Sequence, residues 1–112
     1  MPAAPRRLPS AVADIIAAAE WYDDQREGLG DDFVAEVDEA IRSLAQTALL
    51  YGVRYADVRC ARLKRFKPYG IFYYLWQEEI IVFSVFHASR RPQIVRSRRI
   101  KLGGLPSKRK PS

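Results

Sequence analysis

Apolar residues first recur at a helical period. Val12, Ile15, Ile16, Ala19 and Tyr22 fall at i, i+3, i+4, i+7 and i+10, which predicts an amphipathic helix behind Pro9, with Ser10 as its N-cap. Gly28-Leu29-Gly30 ends that helix in a compact turn. A second helix then starts with Asp31 or Asp32 as cap, and Phe33 or Val34, Val37, Ile41, Leu44 and Ala48 form its stripe. So short a connection makes the two helices an antiparallel hairpin. Val12, Ile15, Ile16, Val37, Ile41 and Leu44 are the residues expected to be buried.

The period changes after Tyr51-Gly52. From Val58 to Leu63 apolar and basic residues alternate, with Ala61 out of phase. Tyr69–Trp76 and Ile80–His87 are dense in aromatic and β-branched residues, and Gln77-Glu78-Glu79 separates them. These two runs predict a β-hairpin, apolar in part on both faces. Met1–Pro9, with three prolines, suits neither a helix nor a central strand. Lys101–Ser112 reads as a basic tail expected to be disordered. The fold class is α+β: a two-helix antiparallel hairpin packed as one layer on a small twisted antiparallel sheet of at least three strands. The domain is expected over residues 10–100, with 1–9 as an extension or residual first strand and 101–112 as the tail.

Composition narrows the classes. A chain of 112 residues holds one domain, and Leu, Ile, Val and Phe supply 30 of them, enough for one modest core. No apolar run reaches the roughly 18 residues of a membrane span, and the N-terminus lacks the apolar centre of a secretory signal. A cytoplasmic protein without membrane contact is therefore expected. One cysteine, Cys60, and one histidine, His87, allow neither an internal disulfide nor a zinc site, so no metal or cofactor is expected.

Charge lies in blocks behind the net +6. Ala11–Ala40 carries ten acids against Arg26 alone. Arg54–Lys67 carries six bases against Asp57, and nine bases follow from Arg90 onward with no acid. Such polarity either neutralises itself within the fold or faces an acidic partner. For the last block, with no acid near it in the sequence, a partner is the expectation.

Chemistry-bearing residues are few. His87 ends the last predicted strand and is followed by Arg90-Arg91. An imidazole that moves protons near guanidinium groups is what RNA cleavage through the 2′-hydroxyl requires, but a lone histidine more often only packs. Tyr69, Phe72, Tyr73, Tyr74 and Trp76 could stack bases, yet aromatics of a small sheet mostly fill its core. Cys60 reads as a small strand residue, the acids as helix-surface groups, and no Gly-rich phosphate loop is present.

From Pro9 to Arg99 the chain resembles the RelE/ParE superfamily, the toxins of bacterial type II toxin–antitoxin systems, also known as plasmid stabilisation proteins. The likeness rests on Ala13-Asp14-Ile15, Trp21-Tyr22, Gly28-Leu29-Gly30, Phe33–Leu44, Tyr51, Val58-Arg59 and Arg65-Phe66. It continues through Pro68-Tyr69, Ile71, Tyr73-Tyr74, Val82–His87 and Arg90-Arg91-Pro92. The resemblance implies a helical hairpin on a twisted antiparallel sheet and a cognate antitoxin that wraps the toxin, giving a hetero-oligomer. It also implies one of two activities. RelE-like members cut mRNA on the ribosome with Lys, Arg, Tyr or His side chains on the sheet; ParE-like members inhibit DNA gyrase and have no recognised nuclease site.

In the nucleases an arginine commonly follows the tyrosine that opens the central strand; here Gly70 follows Tyr69, which resembles the ParE branch. The leading expectation is thus a gyrase poison in a stress-response toxin–antitoxin system, not an enzyme in its own right. The rivals are an mRNA endonuclease using Arg65, His87 and Arg90, with ribosome and mRNA as partners, and an inactive homologue that only binds antitoxin. The basic block and the habit of acidic, wrapping antitoxins place antitoxin binding at Arg59, Arg62, Lys64 and Arg65, and target binding at Arg90 and Arg91. Two departures stand out. The family begins with a β-strand, for which Arg6–Leu8 could supply a stub, and Val95 occupies roughly the place of an aromatic residue.

Overall fold

The computed structural model describes residues 4–88 and 92–103. Its elements are β1 (Arg6–Arg7), α1 (Pro9–Gln25), α2 (Leu29–Thr47), β2 (Val53–Tyr55), β3 (Val58–Arg62), β4 (Tyr69–Trp76), β5 (Glu79–His87) and α3 (Pro92–Leu102). The sheet runs β1-β5-β4-β3-β2. All neighbours are antiparallel except β1, which lies parallel to β5. The α+β fold and the hairpin on a small sheet are as expected. The stub of a first strand exists, and it makes the sheet mixed.

Local chemistry explains the turns. Gln77 and Glu78 take φ of +50° and +69°, the left-handed pair that closes a two-residue hairpin between β4 and β5. At the α1–α2 turn Gly28, at φ +88°, is the N-cap of α2. Gly30 donates its N–H to Asp23 Oδ1 at 2.7 Å, so a carboxylate of the preceding helix satisfies a donor at the start of α2. A Cβ at Gly30 would meet the Ala19 carbonyl oxygen at 2.3 Å, so only glycine lets the helices approach this closely. Asp31 and Asp32 are therefore not caps. They lie in the first turn, where their charge favours the positive helix end. Nor does Ser10 cap α1: Leu8 is its N-cap, Pro9 stands at the helix start, and the Ser10 hydroxyl donates to Phe83 O at 2.6 Å.

Both sheet faces are buried. One packs Ile71, Tyr73, Ile80, Val82 and Val85 against Ile15, Phe33, Val37, Ile41 and Leu44 of the hairpin. The other gathers Val58, Cys60, Phe72, Tyr74, Ile81 and Phe83, with Val95 of α3 among them. The second helical layer was not expected. It accounts for the phase of β3, where Cys60 belongs to one core and its neighbour Ala61 to the other.

The α1 stripe corrects one expectation. Ala11, Ile15 and Ala18 are buried, whereas Val12 and Ile16 are 41% and 54% exposed. The face turned to the sheet is the one with small residues, which lets the helix backbone sit close to β5; the bulkier face is left outward. No helix among the described residues is long and apolar enough to cross a membrane.

Candidate functional site

The edge of β5 organises one end of the molecule. β1 covers it only at Ile81 and Val82, so the backbone beyond needs other partners. The Leu8 N–H donates to Val82 O, the Ser10 hydroxyl to Phe83 O, and the Val85 N–H to Asp14 Oδ2 at 3.0 Å. The same carboxylate accepts from the buried Ser84 hydroxyl at 3.1 Å and is paired by both terminal nitrogens of Arg98. One acid thus closes a strand edge and anchors α3.

A second clamp holds the other side of α3. Arg99 is fully buried, a state that needs paired charge. Its Nε and Nη2 donate to the two carboxylate oxygens of Asp57 at 3.0 and 2.7 Å, and its Nη1 donates to Gly103 O at 2.6 Å. The guanidinium lies 3.7 Å from the centre of the Tyr74 ring. Two of the nine bases from Arg90 onward are therefore neutralised inside the fold, contrary to the expectation that this block lacks acids.

The basic residues of β3 do not form one face. Arg59 belongs to the hairpin side and donates to Tyr51 O. Arg62, Lys64 and Lys67 share a shallow open surface with Leu63. Arg65 pairs with Asp32 at 3.2 Å, and Glu36 accepts the backbone N–H groups of Lys64 and Arg65 at 2.6 and 3.1 Å. Part of the acidic helix block thus answers part of the basic strand block, and Arg62, Lys64 and Lys67 stay outward.

His87 stands at the end of β5, its ring 6.2 Å from that of Tyr69. It lines a cleft of about 460 Å³ together with Asp14, Trp21, Tyr22, Tyr69 and Phe86. Arg65 is held at the α2 side by Asp32, stacked 5.2 Å from the Phe66 ring, and does not line this cleft. Arg90 and Arg91 lie outside the described residues. Burial pushes the Cys60 thiol up, against Arg54 and Arg62, so it is no ready nucleophile. Among the described residues no group of three or more His, Cys, Asp and Glu could hold a metal ion.

Gly70 faces the second core. A Cβ there would meet Cys60 Sγ at 2.5 Å and Ala88 Cβ at 3.5 Å. A side chain at position 70 would thus have to displace Cys60.

A helical hairpin on a small mixed sheet, clamped by a third helix, makes a single two-faced α+β domain. The chain belongs to the ParE toxin family of the type II toxin–antitoxin system parDE, whose family profile matches residues 6–92. Its fold is similar to a solved chain from the chromosomal ParDE toxin–antitoxin system of P. aeruginosa, with a TM-score of 0.67 at 20% identity over 75% of this chain and 94% of that one. No curated protein matches it.

Asp14, Asp57, Arg98 and Arg99, which build the two clamps on α3, were not singled out from the sequence for any role. α3 had a detectable signal: Pro92 at its first position and Gly103, at φ +75°, just past its end. The scattered apolar residues between them hid it.

Proposed function

We propose that this chain is the toxin of a toxin–antitoxin pair, that it poisons DNA gyrase in the cytoplasm, and that a cognate antitoxin neutralises it. Membership of the ParE family supports the class, and Gly70 is the observation that favours gyrase over mRNA. An arginine at position 70 would have to push Cys60 out of a packed core. Loss of one such charge typically removes about 2.7–4 kcal/mol of transition-state stabilisation, which leaves a nuclease hundreds of times slower. Arg65 is also engaged elsewhere, by Asp32.

The antitoxin surface is proposed at the outward residues Arg62 and Lys64, with Arg65 at its margin and Arg59 contributing from the hairpin side. An acidic, extended segment suits these cations. Arg90 and Arg91 remain the proposed contacts to the target. The test is a supercoiling assay with purified gyrase and the full chain. Inhibition that an equimolar antitoxin relieves is expected, and undiminished supercoiling at large toxin excess would overturn the proposal.

A further inference from the structure

Acids and bases divide between the layers on the two sides of the sheet. Most of the acids stand on the helical hairpin. β2, β3, β4 and α3 contain none, and Asp57 is the only acid between Glu39 and Glu78. The two acids that bond to α3 are both consumed, Asp57 by the buried Arg99 and Asp14 by Arg98.

The cations left over on the α3 side join into a stripe. Arg62 follows Cys60 by two residues in β3 and so shares its face. Burial pushes the Cys60 thiol up, and the charges of Arg54 and Arg62 oppose that rise, which puts both guanidinium groups in reach of this one residue. Arg54 and Arg96 line one small cleft, and Arg96 stacks 4.9 Å from the Tyr55 ring centre. The stripe therefore crosses from the end of β3 over β2 to α3. Among the described residues Arg54, Arg62 and Arg96 have no ion pair. Lys101 comes later on α3, and the sequence after Gly103 adds Lys108-Arg109-Lys110 without an acid.

We propose that this stripe binds the phosphate backbone of double-stranded DNA without regard to sequence. A protein partner would need an apolar seat among the cations, and the cleft there, about 100 Å³, has room for only about three waters. A single strand would need open rings on which to stack its bases, whereas Phe72 and Tyr74 are buried and Arg96 covers Tyr55. Rows of phosphate need only cations. The acidic hairpin on the opposite face is repelled by the same polymer, which turns the basic stripe toward it. The choice of DNA over double-stranded RNA rests on the gyrase reading; the stripe itself does not.

Fluorescence anisotropy of a short labelled DNA duplex tests this on the full chain. No gyrase is present, so the outcome is separate from that of the supercoiling assay. Affinity should fall steeply between about 50 and 200 mM salt and be equal for two unrelated sequences. Arg54→Gln and Arg96→Gln together should weaken binding about tenfold or more and lower the salt slope by about two, one for each lost cation. Both side chains are exposed, so the variant keeps its fold, which far-UV circular dichroism verifies. Arg62, shared with the proposed antitoxin surface, is left unchanged. Arg96→Lys should retain binding, and Arg42→Gln on α2 should not alter it. No binding at about 50 mM salt, or affinity and slope unmoved by the double variant, overturns the proposal. So does tighter binding of a polyglutamate peptide or of an RNA duplex than of DNA.

Discussion

Asp14 shows how much one side chain can carry. Its carboxylate satisfies a strand-edge N–H, a buried hydroxyl and a guanidinium together. Asp14→Ala strands the Val85 N–H and leaves Arg98 only the Ser84 hydroxyl as acceptor, and removing one partner of a part-buried pair should cost about 3 kcal/mol, read as a lower urea midpoint at unchanged m-value. Tyr73 makes a second prediction. It is fully buried, its hydroxyl donates to Ala48 O at 2.6 Å, and burial pushes its pKa up to about 12. The folded protein thus holds this proton more tightly than the unfolded chain, whose tyrosines titrate near about 10. The stabilisation is complete below pH ~10 and is lost as pH climbs toward ~12. In Tyr73→Phe, the fall of stability over that window should flatten in pH-dependent urea unfolding. At this scale the sequence was least legible. Asp14 sat inside a recognised motif, yet only tertiary contact with β5 and α3 gives it work beyond that of a surface acid.

Among the elements, α1 and α3 depart most from their periodic patterns. Either of two neighbouring stripes of α1 fits a helix, and apolarity alone favours the one with Val12 and Ile16. Close packing selects the other, because alanines at 11 and 18 let the backbone settle on the sheet. Ile15→Ala should therefore cost about 2–3 kcal/mol, whereas Ile16→Ser should shift stability by less than about 0.5 kcal/mol. Thermal unfolding of the two variants side by side checks it; equal losses would put the stripe back on the outer face. By contrast, α2 was legible almost residue by residue, since Phe33, Val37, Ile41 and Leu44 are all buried. So were β4 and β5, whose aromatic and β-branched runs have no helical alternative. α3 was not, because guanidinium groups rather than an apolar stripe fasten it: Val95 is its one buried apolar residue.

For the whole molecule, the polarity of charge is partly internal and partly outward. Arg65, Arg98 and Arg99 find acids within the fold, while Arg62, Lys64 and Lys67 stay at an open surface. Reversing charge at Arg62 and Arg65 together should slow antitoxin association and flatten its salt dependence in stopped-flow mixing. An unchanged rate and salt slope would move the docking surface elsewhere. The candidate site was legible as a family likeness and as a basic block, but the division of that block between internal pairs and free cations needed the register of β3 and the seat of α2. The central claim is that this toxin acts on gyrase and not on mRNA. It is tested most directly by running gyrase supercoiling and ribosome-bound mRNA cleavage on one preparation, with His87→Ala alongside. Inhibited supercoiling and intact mRNA for both proteins are predicted. Cleavage on the ribosome that disappears in His87→Ala would contradict the account.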